Sequence, residues 1–297
     1  MKAEKIRRKR CASEWFLHIF KVIFLILVTV ICVYPFWNIF IVSINDATDA
    51  LRGGLYFLPR KLSFASYADI LSRSTFLHGI WVTLLRTVIG TPLAVLVTTM
   101  LAYVLSREEL LWKKPLNLIF VFTMYFGGGM VPYYMVLKNL GMLNHFIVFI
   151  FPNLVSVYNM ILVKNYIEGM PKEIFESSKI DGANDLTVFF RMVLPLSKPI
   201  IMTIALFVAV MHWNSWFDAY LYTNSQSLKT MQSILVEILN QYQTSLANQA
   251  ANQNAQQLTP DSIRMAATMI ATIPIIMVYP FIQKYFVKGI MLGSVKS

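Results

Sequence analysis

Few side chains in this sequence have types and spacings that suit catalysis. The histidines are scattered and lack the spacing of metal ligands, and no Ser/His/Asp set or pair of carboxylates stands out. No Gly-Lys dipeptide occurs, so the chain has no P-loop with which to bind nucleotide phosphates. We therefore expect no cofactor bound by this chain and no enzymatic activity.

The most informative polar stretch, Pro171–Pro195, separates two apolar blocks and reads PKEIFESSKIDGANDLTVFFRMVLP. Its first proline suits a helix start, and Glu173 and Glu176 would lie in the opening turns, where a helix favours negative charge. Lys179 follows Glu176 by three residues, so the two can form an ion pair. Gly182 suits the left-handed conformation that ends a helix. The pattern predicts a short helix just outside a bilayer, although an ordinary interfacial helix is equally compatible.

A single arginine, Arg86, lies about ten residues into another apolar block, which places it about 15 Å deep at the rise of a helix. A charge at that depth is costly, so it must face a partner, a wet cavity or backbone carbonyls. Arg86 could line a pathway for an acidic substrate. It could instead tie helices together or lie near an interface, and we favour this second, structural interpretation.

Aromatic and polar residues crowd the outer half of the fifth apolar block. Aromatic faces and amide or carboxylate groups suit a carbohydrate pathway, but Trp and Tyr also form ordinary interfacial belts. Both interpretations stay open for this group, which comprises Trp213, Asn214, Trp216, Asp218, Tyr220 and Tyr222.

The elements that must position these residues are membrane helices. Of 297 residues, 57% are hydrophobic and only 14% are charged, which is too few charges to cover a water-facing surface. Several apolar blocks approach the roughly 20 residues that cross a hydrocarbon core. The sequence predicts six spans, at about Val22–Val42, Leu77–Leu105, Leu116–Leu137, Phe146–Val163, Ile200–Tyr222 and Met265–Phe286.

The net charge of +11 is distributed as in a membrane protein rather than a nucleic-acid-binding protein. Basic residues concentrate within the first ten positions, at 107–114, at 164–198 and at 284–296, all on one side if six helices alternate. This positive-inside bias predicts that both termini are cytoplasmic. Cys11 and Cys32 fall in the basic tail and the first helix, so they cannot readily meet in a disulfide.

The polar stretch resembles the "EAA loop" of ABC-importer permeases. Glu176–Ala183 (ESSKIDGA) followed by Leu194-Pro195 is similar to that motif, with Ser-Ser in place of Ala-Ala. The resemblance covers most of the chain from about residue 67 and includes Ala102–Arg107, Trp213-Asn214 and the ending Gly289–Ser297. Among maltose-type carbohydrate permeases, the chain looks closest to the LplC/YtcP branch, which is associated with complex and uronate-containing oligosaccharides.

The resemblance implies a fold, partners and a mechanism. The fold is all-α and integral to the membrane, with about six transmembrane helices and a cytoplasmic coupling helix that docks on an ATPase subunit. The implied partners are a second permease subunit, two ATPase subunits that bind ATP and Mg²⁺, an extracytoplasmic solute-binding protein, an oligosaccharide and membrane lipid, with no nucleic acid. The implied coupling residues are Glu173, Glu176, Ser177, Ser178, Asp181, Gly182, Ala183, Leu194 and Pro195.

The expected organisation is a basic cytoplasmic tail (1–14), a first transmembrane helix (15–44), a permease core (67–288) and a cytoplasmic C-terminal tail (289–297) in a bacterial cytoplasmic membrane. The substrate-path candidates are Arg86, Trp213, Asn214, Trp216 and Tyr220. The main alternative is a secondary transporter or channel driven by an ion gradient. It would need buried acidic residues near the midplane, and the predicted helices offer almost none, since Asp218 lies near an end.

Overall fold

The fold is helical throughout the residues that the computed structural model describes, 12–249 and 259–294, and those residues contain no β-strand. They divide into two compact units. The first comprises the described residues of Met1–Ile70 and Ala251–Met269, and the second those of Leu71–Ala250 and Ile270–Ser297. Cys11 and the ends of both predicted tails lie outside the described residues.

The first unit includes one long helix and a folded loop that follows it. Helix α1 (Ala12–Ser43) is followed by α2 (Ala47–Ala50), which Asp46 caps by accepting hydrogen bonds from two backbone amides. The Thr48 hydroxyl also donates to Asp46, and together these bonds lower the pKa of that carboxyl to about 2. Across the loop, the Arg60 Nε donates to Asp49 at 2.9 Å. The short polar side chains therefore give this loop a defined shape outside the apolar helix.

The second unit packs around one long helix, α4 (Ser74–Ser106). Its buried core joins α4 to the helix that precedes the polar stretch, to the second half of that stretch and to the helix that follows it, and it includes Tyr103, Met160, Phe189 and Ile204. The remaining α-helices among the described residues are α3 (Ala65–Ser72), α5 (Lys113–Tyr125), α6 (Met130–Asn139), α7 (Val157–Glu168), α8 (Lys172–Ile180), α9 (Asp185–Val188), α10 (Leu194–Leu196), α11 (Lys198–Asn214), α12 (Phe217–Tyr222), α13 (Met231–Gln249) and α14 (Pro260–Ser294).

Short non-α turns connect several of these helices. The 3₁₀ turns are Phe146–Phe149, Phe151–Asn153 and Gln226–Leu228, and a π-helical turn spans Phe189–Val193. The π turn continues directly into α10, so the polar stretch leads into the next span without an open loop.

Six membrane spans can be traced if each bent pair of helices is taken as one. Within the part of the chain that the structure describes, three helices are long and apolar enough by themselves, at Trp15–Ser43, Ser74–Ser106 and Asp261–Val278. Three further pairs meet the same test together but are bent by 115° between α5 and α6, 42° before α7 and 82° before α11. The expectation of about six transmembrane helices is confirmed, while the third, fourth and fifth are not the straight helices that the apolar blocks predicted.

The fifth predicted helix also ends earlier than expected. The block Ile200–Tyr222 is interrupted after Asn214, where Ser215 takes an extended conformation, and α12 begins at Phe217. The break separates Trp213 and Asn214 from Tyr220. Helix α13 continues through the amide-rich residues 240–249.

Helix α13 approaches α4 closely because α4 carries Gly79 at the crossing. A Cβ at this position would lie 2.5 Å from the Ile234 Cδ1 and 3.2 Å from the backbone nitrogen of Met231. One turn further along α4, the Thr83 hydroxyl accepts a hydrogen bond from the Met231 amide at 2.9 Å. The glycine and the threonine together fix the start of α13 on α4.

We expect Gly79→Val to destabilise the protein by about 1–3 kcal/mol, because the added methyl groups must displace backbone as well as a flexible side chain. The measurement is the thermal unfolding of the detergent-solubilised protein. Gly169→Ala is the control, since a Cβ there lies 3.4 Å from its nearest neighbour. An unchanged midpoint for Gly79→Val would contradict the close packing described here.

Candidate functional site

The polar stretch forms helix α8, which ends as its sequence predicts. Gly182 has φ +74°, the left-handed conformation. The amide of Gly182 donates to the Lys179 carbonyl, and the amide of Ala183 donates to the Ser178 carbonyl, each at 3.0 Å. These are the two hydrogen bonds of a Schellman motif, which requires a residue without a Cβ penalty at its left-handed position. Glu173 lies in the first turn, and Asp181 is the C-cap.

The two adjacent serines of α8 have opposite environments. Ser178 is 1% exposed, and its hydroxyl donates to the Ile174 carbonyl at 2.6 Å and lies 2.8 Å from the Met192 Sδ. Ser177 is exposed. Ser178 therefore packs against the π turn that follows, whereas Ser177 is open to a partner, and the coupling role of both serines stays a prediction.

Ion pairs attach α8 to the loop between α4 and α5. Lys172 donates to Glu108 at 2.6 Å, and Lys179 forms an ion pair with Glu109. Lys179 therefore pairs with Glu109 of the neighbouring loop and not with Glu176, the partner that the spacing allows. The hydrogen bonds from Lys172 and Lys179 lower the pKa values of Glu108 and Glu109, respectively, and the bond to Glu108 raises that of Lys172.

Arg107 lies at the centre of this contact. Its guanidinium lies over the rings of Phe175 and Tyr103, at 5.4 and 5.6 Å from their centroids. It is also 3.8 Å from a carboxylate oxygen of Glu109 and of Asp185. Because Arg107 follows the last residue of α4, these contacts join that helix end to α8 and α9. We name this set the α8 anchor; its residues are Tyr103, Arg107, Glu108, Glu109, Lys172, Phe175, Lys179 and Asp185.

The start of α5 is fixed to the same region by Lys113. Its ammonium donates to the Ser106 carbonyl and to Glu168, each at 3.0 Å. Glu168 also forms an ion pair with Lys164, which lies one turn earlier in α7, at 3.4 Å. A cavity of about 260 Å³ lies beside these groups and the α8 anchor, and Glu176 contributes to its wall. Three helix ends therefore meet at α8.

The expected Leu194-Pro195 pair lies beyond the π turn, in α10. Leu194 is partly buried against the core and Pro195 is exposed. The chain then bends by 82° into α11 at the buried residue Ser197. The π turn and the bend connect α8 to the fifth span.

In the membrane-spanning part of the second unit, Arg86 forms a buried ion pair. Its guanidinium is fully buried, and its two terminal nitrogens donate to the two carboxylate oxygens of Asp218 at 2.5 and 3.1 Å. It also lies over the Phe149 ring, 4.7 Å from the centroid. The pair joins α4 to α12. This geometry supports the interpretation of Arg86 as a residue that ties helices together.

A buried histidine next to this pair was not singled out from the sequence. His212 is 0% exposed, and neither of its ring nitrogens has a hydrogen-bond partner among the described residues. A Cβ at Gly90 of α4 would lie 2.6 Å from its Nε2, so the glycine makes room for the ring. The signal that could have found this contact is a glycine in α4 at the level of an aromatic ring in α11, but the relative depth of two helices is not readable from one sequence.

The remaining aromatic candidates do not share one surface. Trp213 is buried, and its indole nitrogen donates to the Ala271 carbonyl at 3.0 Å. Asn214 is exposed and accepts a weak hydrogen bond from Gln232 at 3.4 Å. Trp216 and Tyr220 are exposed and lie with their rings 6.0 Å apart. Of the five substrate-path candidates, only Asn214, Trp216 and Tyr220 are therefore accessible. Among the described residues, no group of three or more His, Cys, Asp or Glu side chains is placed to share a metal ion.

Comparisons with a protein-family model and with individual relatives agree with one another. Residues 61–292 match the family model described as "binding-protein-dependent transport system inner membrane component". The chain is 38% identical to the polygalacturonan/rhamnogalacturonan transport system permease protein YtcP of Bacillus subtilis, over 92% of this chain and 96% of that one. It is 36% identical to protein LplC of the same organism, over 93% of each chain.

A solved structure has the same fold. It is a crystal structure of a bacterial ABC transporter involved in the import of the acidic polysaccharide alginate. The TM-score is 0.83 at 26% identity, covering 94% of this chain and 99% of that one.

We expect Asp218→Asn to destabilise the protein by about 3–5 kcal/mol, because it leaves the Arg86 charge buried without a counter-ion. The double variant Arg86→Met, Asp218→Leu should lose much less, since it removes both charges. Thermal unfolding in detergent measures both, with Lys114→Met of the exposed face of α5 as the control. Equal losses in the single and double variants would contradict a mutually dependent pair.

Proposed function

Because this chain belongs to the family of binding-protein-dependent transport system inner membrane components, we propose that it is the permease subunit of an importer for oligosaccharides, including acidic ones. The observation that carries the proposal is α8, a short helix with a fixed end that is anchored by charge pairs beside three other helix ends. The substrate class is supported by what YtcP and the alginate importer are named for.

In this proposal, α8 is the coupling helix. Its exposed side carries Glu173, Glu176 and Ser177, and its exposed end carries Ile180 and Asp181. These residues would contact one of two ATPase subunits, which bind ATP and Mg²⁺. A second permease subunit would complete the pathway, and an extracytoplasmic binding protein would deliver the oligosaccharide. The basic residues at 107–114 and 164–198 support a cytoplasmic position for α8 and for both termini.

The α8 anchor would determine how α8 meets the ATPase. A coupling helix must move together with the spans it drives, and the anchor joins it to the end of α4 through Arg107. Each exposed ion pair contributes only about 0–1 kcal/mol, but Arg107 adds two aromatic contacts and a partly buried position. We infer that the anchor keeps α8 in register with α4 during transport.

The alternative of an ion-driven secondary transporter has one observation in its favour. The acidic residue Asp218 and the histidine His212 both lie near Arg86 in the membrane part of the second unit. Ion gradients are commonly coupled through such groups. ATP-dependent uptake that persists after proton and sodium gradients are collapsed would exclude this alternative.

The test of the whole proposal is import into vesicles that contain this chain, a second permease subunit and the ATPases, with the binding protein outside. We expect uptake of oligogalacturonates to require ATP in the lumen, where the ATPases face. Transport that proceeds without ATPase subunits, or no uptake of any oligosaccharide, would overturn the proposal. Neutral oligosaccharides of the same length are the matched substrates.

The orientation of the two serines gives a sharp test of docking. In a background with Cys11 and Cys32 replaced by serine, we expect Ser177→Cys to crosslink to an ATPase subunit with a short bifunctional maleimide. Ser178→Cys should not crosslink, because its side chain is buried against Met192. Strong crosslinking from Ser178→Cys, or none from Ser177→Cys, would contradict the proposed face of α8.

The anchor is tested by charge exchange between Glu109 and Lys179. We expect Glu109→Lys to reduce transport per ATP hydrolysed by about two- to fivefold, the range given by an exposed ion pair of up to about 1 kcal/mol. The double variant Glu109→Lys, Lys179→Glu should recover part of this loss because the opposite charges face each other again. Uptake and ATP hydrolysis are measured together. A double variant that transports less per ATP hydrolysed than Glu109→Lys alone would show that the ion pair does not position α8.

A further inference from the structure

The break between α5 and α6 exposes backbone in the interior of a membrane span. Helix α5 begins at Lys113 and Lys114, two charges that mark one interface, and its 13 residues rise about 20 Å. A hydrocarbon core is about 30 Å thick, so Phe126–Gly129 starts inside it whichever side is cytoplasmic. Any tilt of α5 shortens its rise along the membrane normal and places the break closer to the centre.

The backbone amides of this break are not satisfied by the described part of the chain, although the Gly129 carbonyl accepts a hydrogen bond from the Tyr133 amide at 3.3 Å. The amides of Gly127, Gly128 and Gly129 have no hydrogen-bond partner among the described residues, whereas the flanking Phe126 amide donates to the Phe122 carbonyl at 2.9 Å. All three glycines are exposed. A Cβ would meet nothing within 4 Å at Gly127 or Gly129, and only a Pro132 carbon at 3.7 Å at Gly128. Three successive polar groups are therefore open to whatever lies beside them.

Lipid cannot be that neighbour. Each unsatisfied backbone group costs several kcal/mol in hydrocarbon, so non-helical backbone at membrane depth occurs only where it is buried in protein or lines a water-filled cavity. Glycine leaves the backbone accessible to a ligand that approaches closely. Three glycines in a row provide amides and carbonyls without side chains in front of them, which favours a ligand over a tightly packed protein partner.

An aromatic surface continues from this open backbone. The rings of Phe122 and Phe126 stack in parallel, with centroids 4.4 Å apart and an interplanar angle of 15°. Both side chains are more than half exposed, at 55% and 65%. A sugar ring presents hydroxyl groups at its edge and C–H groups on its face. The glycine backbone matches the first and the phenylalanine rings match the second.

We propose that Phe122, Phe126 and the backbone of Gly127–Gly129 form an oligosaccharide-binding subsite in the translocation pathway. The free amides donate hydrogen bonds to hydroxyl or carboxylate oxygens, the carbonyls of Gly127 and Gly128 accept from hydroxyl groups, and the rings pack on sugar C–H groups. This subsite rests on the proposed import function, and it assigns substrate contact to a part of the chain distinct from Arg86 and the α12 aromatics.

Cysteine accessibility in the complete transporter tests the position of the subsite. In the background without Cys11 and Cys32, Gly127→Cys and Gly128→Cys should react with a membrane-impermeant maleimide, because neither glycine has a positive φ and both have room for a side chain. Ile26→Cys of the uninterrupted helix α1 is the control, which should stay unreactive. Saturating oligogalacturonate with its binding protein should slow labelling at both glycine positions.

Several outcomes overturn the subsite. Cysteines at 127 and 128 that stay unreactive in every state would place the break against protein or lipid. Labelling that substrate does not slow, or that the empty binding protein slows equally, would show a wet surface without a saccharide contact. Failure of the import function is seen separately, as absent ATP-dependent uptake by the unmodified transporter.

A second variant pair tests the aromatic contact without depending on labelling. Phe126→Ala should lower oligogalacturonate uptake at low substrate concentration by about three- to tenfold, the range of one aromatic contact. Phe126→Tyr should retain uptake, because it keeps the ring face. Equal uptake by Phe126→Ala and the unmodified protein would overturn the role of the ring, and a loss in Phe126→Tyr as large as in Phe126→Ala would do the same.

Discussion

The buried ion pair between Arg86 and Asp218 is the interaction on which the membrane-spanning part of the second unit depends. A fully buried guanidinium is tolerated in such a place only while its counter-ion is present. The pair therefore fixes α12 on α4, and with it the break after α11, where the Ser215 carbonyl lies 3.4 Å from the Thr230 hydroxyl that leads into α13. One charge pair thus determines how three consecutive segments meet a single helix.

Helix α4 connects this pair to the α8 anchor. Arg107 follows Arg86 by 21 residues, which is about 31 Å along a helix. Near its first end α4 receives α13 at Gly79 and Thr83, and at its last end it holds α8 through Arg107. A continuous helix with specific contacts at both ends can transmit a displacement as a rigid body, whereas a flexible loop between the same sites would absorb it. The arrangement gives the proposed coupling of ATPase docking to the membrane spans a physical route.

The sequence could predict features that depend on local patterns, and it failed where the answer depended on a neighbour in space. The apolar blocks predicted the spans, and Gly182 predicted the end of α8, because length and backbone conformation are local properties. The partner of Lys179 could not be predicted, because Glu109 in the α4–α5 loop is 70 residues away from that lysine in the sequence. Ser178 could not be told from Ser177 without the position of Met192. Asp218 looked unavailable near a helix end, yet the break after Asn214 turns it toward Arg86.

The neutralised arginine also limits how an acidic substrate can be held. Because Asp218 occupies both terminal nitrogens of Arg86, that guanidinium is not available to capture a carboxylate in the membrane. Unpaired backbone amides attract anions less strongly than a full charge does, and a transported ligand must bind well enough to enter and weakly enough to leave. In the proposed subsite, open glycine backbone with aromatic faces would meet both requirements for a sugar chain, charged or neutral. Under the proposed import function, discrimination among oligosaccharides would then fall mainly to the binding protein that delivers them.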